Sequence, residues 1–159
     1  SALFDGVGRQ QWFPSDESLF WGMYNRPYNQ VPTWHLQNYW TEERPNAYLP
    51  RYVGYYGPMN ANTVNVNTRY LQDVSYIRLK NLTVDYTFPA HICRKMRIKG
   101  LKVYVSGENL WTSSPMFKYC DNYDPEVINA GDSDFRTTEG DGYSYPMLRT
   151  VTLGLNLTF

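Results

Sequence analysis

The sequence is poor in the residues from which catalytic and metal-binding sites are most often built. Its 159 residues include only two cysteines and two histidines. These residues, Cys93, Cys120, His35 and His91, have no zinc-ligand spacing. They also leave little from which to assemble a Ser-His-Asp or Cys-His arrangement. We therefore expect no catalytic residues, no metal site and no cofactor, and hence no enzyme.

Net charge and long apolar runs are also missing. Fifteen basic residues balance fifteen acidic ones, so the chain as a whole has no strong field that points to nucleic acid or anionic lipid. The mean hydropathy of -0.56 and the lack of any run of about 20 apolar residues exclude a transmembrane helix. They do not exclude a β-barrel, whose strands are only half apolar. The chain lacks an initiator methionine and a signal peptide, so we expect a processed product or a piece of a longer protein.

The final eleven residues, 149–159, alternate between apolar and polar side chains. The apolar positions are Val151, Leu153, Leu155, Leu157 and Phe159. Successive side chains of a β-strand point to opposite faces, so this period of two predicts a strand with one apolar face. A strand of about 9–11 tilted residues also spans a hydrocarbon layer. A soluble sandwich would turn the apolar face inward and a membrane barrel would turn it to lipid, and the alternation alone fits both.

Three further strands are predicted, at approximately 2–13, 74–88 and 101–112. The apolar positions of the second of these change phase near Lys80, which indicates either a β-bulge or the point where the strand leaves a membrane. Long loops, 14–73 and 113–148, alternate with the short basic connector 90–100. Outer-membrane barrels have this asymmetry between long outer loops and tight periplasmic turns.

The first long loop is rich in aromatic residues, which make up 17% of the whole chain. Such a loop can build a local core, and residues 34–40 within it predict a short helix. Trp34, Tyr39 and Trp40 are candidates for stacking on a sugar ligand. We favour the simpler interpretation, that the loop packs on itself, because aromatic side chains usually become buried first.

Several of these runs, taken together and in order, resemble one family closely: the C-terminal end of SusC/RagA-type TonB-dependent transporters. Earlier segments resemble its preceding strand and outer loop, so the resemblance covers nearly the whole chain. The runs that carry it are YIRLKNLTVDYTFP (76–89), LKVYVSGENLWT (101–112), DPE (124–126), YPMLRTVTLGLNLTF (145–159), GVGRQQWFP (6–14) and FWGMYNRPYN (20–29).

The resemblance implies an all-β fold consisting of the last four antiparallel strands of a large transmembrane barrel, 22-stranded and plugged in this family. It further implies the outer membrane of a Gram-negative, Bacteroidota-type bacterium and import of oligosaccharides or peptides. The expected partners are the remainder of the barrel and its plug, a SusD-like surface lipoprotein lid, outer-membrane lipid, and TonB through a missing N-terminal part. Four strands cannot close a barrel alone, because the smallest such barrels have about eight.

Each face of the predicted sheet then has an expected environment. Polar residues should face the lumen, where we favour hydrogen bonds to the plug over a substrate path; these are Asp85, Lys102, Tyr104, Glu108 and Asn156. Apolar residues should face lipid; these are Leu82, Val84, Tyr86, Phe88, Leu101, Val103, Val105, Val151, Leu153, Leu155, Leu157 and Phe159. The same topology puts Cys93 in a periplasmic turn and Cys120 in an outer loop, too far apart for a disulfide.

Other interpretations carry less weight. Asp124 with Glu126 could suggest a glycosidase pair and the acidic run 132–141 a calcium loop, but neither has the required pattern and a solvated loop is favoured for both. The alternative at the level of fold class is a secreted, soluble carbohydrate-binding β-sandwich. A sandwich predicts many short, evenly spaced strands, whereas this chain has a few long ones with very unequal loops.

Overall fold

The computed structural model describes residues 1–14, 18–24, 30–52, 67–128 and 145–159. The strands are β1 (Ala2–Val7), β2 (Gln11–Trp12), β3 (Gln72–Asp73), β4 (Tyr76–Thr87), β5 (Gly100–Ser113) and β6 (Thr150–Thr158). The helices are α1 (His35–Asn38) and α2 (Ala90–Lys95), with 3-10 turns at Gly22–Tyr24 and Pro115–Lys118. Among the described residues, no helix has the length and apolar character needed to span a bilayer.

The chain divides into two compact units. The strand unit consists of Ser1–Gly8, Tyr76–Ser113 and Met147–Phe159. The loop unit consists of Arg9–Ser75 and Ser114–Pro146. Each unit draws its residues from distant parts of the sequence, so each is held together by long-range contacts.

The strand unit is one antiparallel sheet with the order β1-β4-β5-β6. β4 and β5 pair along most of their length, from Thr87 opposite Lys102 to Ile77 opposite Ser113. β6 pairs with β5 from Gly100 opposite Thr158 to Glu108 opposite Thr150. The all-β, antiparallel fold class expected from the sequence is therefore confirmed.

The structure divides the predicted strand 2–13 into two strands that belong to different sheets. β1 ends at Val7, and Gln11–Trp12 pair instead with Gln72–Asp73 in a separate two-stranded sheet. The chain bends at Gly8 and Arg9, and Trp12 becomes buried in the loop unit. The other three predicted strands, 74–88, 101–112 and 149–159, correspond to β4, β5 and β6 with ends shifted by one or two residues.

The change of phase near Lys80 is a β-bulge. Between Leu79 and Asn81 the register with β5 shifts, because these positions lie opposite Trp111 and Glu108. The register between β1 and β4 shifts at the same place, since Leu3 pairs with Asn81 but Phe4 pairs with Leu79. Asn109 lies in the irregular segment of β5 with a φ of 50°, a left-handed conformation that asparagine tolerates better than most residues.

The connector 90–100, predicted as a short turn, contains helix α2 directly after Pro89. The backbone N–H of Ile98 donates to the Cys93 carbonyl at 3.1 Å, and Arg97 adopts a left-handed φ of 59° to close the turn. Both cysteines of the chain, Cys93 here and Cys120 in the loop unit, are free and buried.

The loop unit has little regular structure but a dense aromatic core. The short helix expected in residues 34–40 is α1. The buried residues of the aromatic core are Trp12, Phe20, Trp21, Tyr24, Leu49, Tyr70, Val74, Met116, Cys120, Tyr123 and Ile128. Further aromatic side chains pack against them. Stacked pairs, such as Tyr48 on Tyr119 with ring centroids 4.1 Å apart, replace the periodic packing of helices or strands.

Candidate functional site

The strand unit exposes a continuous apolar face. Because directly paired residues of antiparallel strands share a face, the register builds apolar rows across three strands. One row is Val84, Val105 and Leu153, and the next is Tyr86, Val103 and Leu155. Leu153 is 76% exposed and Val84 is 65% exposed. These positions have no partner within the described residues that would shield them from solvent.

The bulge keeps this face apolar beyond the change of phase. β1 takes one step from Leu3 to Phe4 while β4 takes two from Asn81 to Leu79. Ala2 lies opposite Leu82 on the apolar face, so Phe4, two residues on, returns to that face and brings Leu79 with it. Without the extra residue, Leu79 would share the face of Asn81 and Asp85. The bulge therefore reconciles the two apolar phases that the sequence shows.

Aromatic side chains lie near both ends of the apolar face. Phe4 and Trp111 lie beside the bulge and are more than half exposed. At the connector end the rings of Tyr86 and Phe88 meet edge to face with centroids 5.0 Å apart, and Phe159 is 79% exposed. Two aromatic bands that flank an apolar band are typical of strands that cross a bilayer.

The opposite face of the sheet is polar. Its rows include Thr83, Ser106 and Thr152, then Asp85, Tyr104 and Gly154, then Thr87, Lys102 and Asn156. The Thr83 and Ser106 hydroxyl oxygens are 3.0 Å apart, and Lys102 Nζ lies 3.1 Å from Asp85 Oδ1. With Glu108 opposite Asn81 and Thr150, all five residues predicted to face a lumen share this face.

A glycine on the polar face accommodates the ring of Tyr104. A Cβ built on Gly154 would lie 2.0 Å from Tyr104 Cζ and 2.3 Å from its hydroxyl oxygen. The tyrosine ring therefore lies across the backbone of β6, where any larger residue would displace it. This contact was not predicted from the sequence, although a glycine inside an alternating strand is a signal of a close approach.

The three candidate ligand-binding residues of the loop unit are half buried rather than exposed. The Trp34 ring packs against Phe20 at 5.0 Å and His35 at 4.3 Å between centroids. Its indole Nε1 is buried and has no hydrogen-bond partner within the described residues, and the residue lines a cavity of about 700 Å³ with Asp121 and Asn122.

Tyr39 and Trp40 lie beside a smaller cavity of about 290 Å³. The Arg44 guanidinium covers the Tyr39 ring at 4.7 Å from its centroid, and the Trp40 backbone N–H donates to the Leu49 carbonyl at 3.1 Å. Trp34 and Tyr39 thus pack against the aromatic core of the loop unit, and Trp40 is tied to Leu49 through its backbone.

His35 is a central residue of the loop unit that sequence analysis did not single out. It is fully buried; Nδ1 lies 2.9 Å from the Tyr52 hydroxyl and Nε2 lies 2.8 Å from the Phe20 carbonyl oxygen. Burial lowers the pKa of His35 to about 4, and the hydrogen bond to Phe20 opposes that shift. A neutral imidazole with Nε2–H donating to Phe20 and Nδ1 accepting from Tyr52 satisfies both contacts.

The acidic residues considered as catalytic or calcium-binding have other positions. Asp124 Oδ1 accepts a hydrogen bond from the Glu126 backbone N–H at 3.0 Å, so the two-residue spacing reflects a local turn. The run 132–141 lies outside the described residues. Elsewhere in the described part of the chain, no group of three or more potential metal ligands occurs.

Known proteins are similar to this chain in sequence or in fold. TonB-dependent receptor P3 of Formosa agariphila is 33% identical over 127 residues, which cover 78% of this chain and 12% of that receptor. TonB-dependent receptor P26 of the same organism is 34% identical over 125 residues, again 12% of its length. The RagAB peptide importer in its closed-closed state matches 99% of this chain and 15% of its own with a TM-score of 0.59 and 20% identity. No family model matches the chain.

The fold defines the class first: the chain is an all-β segment whose fold matches part of the RagAB chain. The sequence relatives then define the family. The chain belongs to the TonB-dependent receptors, and it is a portion of a SusC/RagA-like member that spans about an eighth of the relatives it matches. The predicted family resemblance is therefore confirmed. Members of this class are outer-membrane β-barrel proteins.

Proposed function

We propose that the chain forms part of the wall and outer loops of an outer-membrane active transporter that imports oligosaccharides or peptides into the periplasm. TonB would supply energy through a part of the receptor outside this chain, and a SusD-like lipoprotein would act as its lid. We propose a transport role rather than a catalytic one for this segment.

The segregation of the sheet into two faces carries the proposal. An exposed apolar face that extends over several rows is unfavourable in water and favourable against lipid tails. The opposite face then meets the lumen, where Asp85, Lys102, Tyr104, Glu108 and Asn156 would hydrogen-bond the plug. Lys102 and Asp85 are each less than half exposed and already paired, so a neutral, hydrogen-bonding partner suits them.

The loop unit supports a role as a rigid scaffold for the extracellular rim. Its aromatic residues mostly contact one another, so a substrate would meet the edges of the cluster at Trp34, Tyr39 and Trp40. Half-buried rings next to cavities suit oligosaccharides, since the C–H face of a sugar can stack on the exposed face of a ring while its hydroxyls bond neighbouring amides. We therefore rank oligosaccharides first and peptides second.

The experiment is a clean deletion of the receptor gene in its own organism, with growth measured on separate oligosaccharides and peptides as sole carbon source. We expect loss of growth on one substrate class, restored by the intact gene but not in a strain that lacks TonB function. Unchanged growth on every substrate, or uptake that persists without TonB, would contradict the proposal. Recovery of the protein from the culture medium rather than the outer membrane would instead favour the soluble carbohydrate-binding module.

A carbohydrate-binding sandwich has no observation in its favour. The described strands form one four-stranded sheet and one two-stranded sheet, and the long strands β4 and β5 have 12 and 14 residues. A sandwich needs two sheets whose apolar faces pack together.

A further inference from the structure

The balanced net charge of the chain hides a local concentration of positive charge. No acidic residue occurs between Asp85 and Glu108, whereas Arg94, Lys95, Arg97 and Lys99 fall within six consecutive positions. All four side chains are exposed, and His91 adds a fifth exposed basic group. We call these residues the basic connector.

The basic connector has no internal counter-charge. Within the described residues, no carboxylate lies within ion-pairing distance of its four cations. The neighbouring Lys102 differs, because it is paired with Asp85. Four like charges on one short turn repel one another, so an anionic partner outside this chain would stabilise the segment.

Backbone hydrogen bonds hold the basic connector at the end of the apolar face. The Phe88 N–H donates to the Leu101 carbonyl at 2.9 Å, and the Lys99 N–H donates to the Thr158 carbonyl at 2.8 Å. The cations therefore follow directly on the exposed residues Tyr86, Leu157 and Phe159. Met96, which is 49% exposed, adds an apolar side chain among them.

We propose that the basic connector binds the phosphate groups of anionic phospholipids at the edge of the bilayer, a proposal that rests on the proposed function of the apolar face. Guanidinium groups can hold a phosphate through two parallel hydrogen bonds, and lysine ammonium groups act as point charges. Long basic side chains also bury their methylene stems near the acyl chains while the charge reaches the headgroups.

The order of groups favours lipid over an acidic protein. Apolar rows, an aromatic band and then cations match, in sequence, the acyl chains, the interface and the phosphates of one leaflet. An acidic protein would account for the cations alone. It would not explain why Met96 and the adjoining aromatic side chains are exposed.

The test uses the purified full-length receptor, stripped of lipid in detergent and titrated with phosphatidylglycerol or phosphatidylcholine while native mass spectrometry counts bound lipids. The variant carries Arg94→Gln, Lys95→Gln, Arg97→Gln and Lys99→Gln. The matched control removes four exposed cations elsewhere, through Arg9→Gln, Arg51→Gln, Lys118→Gln and Arg149→Gln. A charge-preserving variant, Arg94→Lys with Arg97→Lys, tests whether charge suffices.

We expect wild type and control to prefer phosphatidylglycerol by about tenfold, the connector variant to lose that preference, and the lysine variant to keep most of it. Equal affinity of the wild type for both lipids, or equal loss in variant and control, would overturn the proposal. So would connector-dependent binding of polyglutamate without any lipid preference. In each case heat-modifiable migration on gels reports barrel formation separately. A wild type that forms no barrel would instead count against the proposed function.

Discussion

The two units of this chain use similar side chains in opposite ways. In the strand unit, large apolar residues such as Leu153 and Phe159 are 76% and 79% exposed. In the loop unit, Phe20 and Trp21 are fully buried and Tyr24 is 1% exposed. The loop unit therefore buries these apolar side chains in its own core, whereas no described residue covers the apolar face of the strand unit.

Polar groups show the same contrast. The loop unit ties several buried polar side chains to its own backbone, as His35 does with the Phe20 carbonyl and Gln72 does with the Tyr70 carbonyl. The polar face of the strand unit is open, and its ion pair between Lys102 and Asp85 is about half exposed. One unit has an aromatic core of its own, and the other is a sheet with one apolar face and one polar face.

The largest expected effect comes from removing the centre of the aromatic core. Trp21 is fully buried, packs on Phe20 and Tyr70, and donates from Nε1 to the Pro14 carbonyl at 3.3 Å. Trp21→Ala should destabilise the loop unit by about 3–5 kcal/mol. Hydrogen exchange of the purified receptor should show loss of protection across this unit. Leu36→Ala, at an exposed position, is the control, and equal protection in both variants would refute a shared core.

A charge on the apolar face should have the next largest effect. Leu155→Arg should cost about 2–4 kcal/mol, because it places a cation in hydrocarbon. Its neighbour Asn156 has the opposite orientation, so Asn156→Ser should cost far less. Folding into liposomes, followed by heat-modifiable migration, measures both. Similar losses for the two variants would show that the faces are assigned incorrectly.

Acid should weaken the loop unit through His35. Its pKa is lowered from 6.5 to about 4 on folding, so the unfolded state takes up the proton first as the pH falls. The contribution of neutral His35 to the stability of the folded state is present above about pH 6.5 and is lost as the pH falls toward 4, for a total of about 3 kcal/mol. Its hydrogen-bond partners, the Tyr52 hydroxyl and the Phe20 carbonyl, stay neutral in this range.

Exchange protection of the loop unit, measured between pH 7 and pH 4, tests this contribution. His35→Gln retains a donor and an acceptor but cannot titrate, so it should flatten the pH dependence. An unchanged pH profile in that variant would exclude His35 as the cause.

The smallest expected effect is at the contact between Gly154 and Tyr104. Gly154→Ala should cost about 1 kcal/mol, because the added Cβ displaces the far end of a tyrosine ring that can rotate. The Tyr104→Ala background should remove most of this cost. Thermal unfolding of the single and double variants gives the coupling free energy between Gly154 and Tyr104. Strictly additive effects would mean that the ring does not lie on Gly154.

The strand unit was largely predictable because its information is local. A period of two identifies β4, β5 and β6 and separates Leu155 from Asn156 without knowledge of any partner strand. The bulge near Lys80 was predicted only as one of two possibilities, since its effect depends on the register with Phe4 and Trp111. The approach of Tyr104 to Gly154 likewise requires the pairing of β5 with β6.

The loop unit was predictable in kind but not in detail. An aromatic-rich segment without a period indicates a self-packed loop, yet no pattern reveals which aromatic residues become central. His35 is buried because Tyr52 and Phe20, 17 and 15 residues away, converge on it. Trp12 lies in the loop unit rather than in the predicted first strand, and this too depends on residues distant in sequence. Its strand pairs over only two residues with Gln72 and Asp73, which leaves no pattern in the sequence.

The orientation of the apolar face is the central claim, and spin-label accessibility at two adjacent positions tests it most directly. Single cysteines introduced at Leu155 and Asn156 in the full-length receptor, with Cys93 and Cys120 replaced by alanine, carry a nitroxide in reconstituted membranes. Oxygen concentrates in lipid and a nickel chelate in water. We predict that oxygen accelerates the relaxation of the label at 155 much more than that of the label at 156. Equal oxygen accessibility, or greater nickel accessibility at 155, would contradict the account.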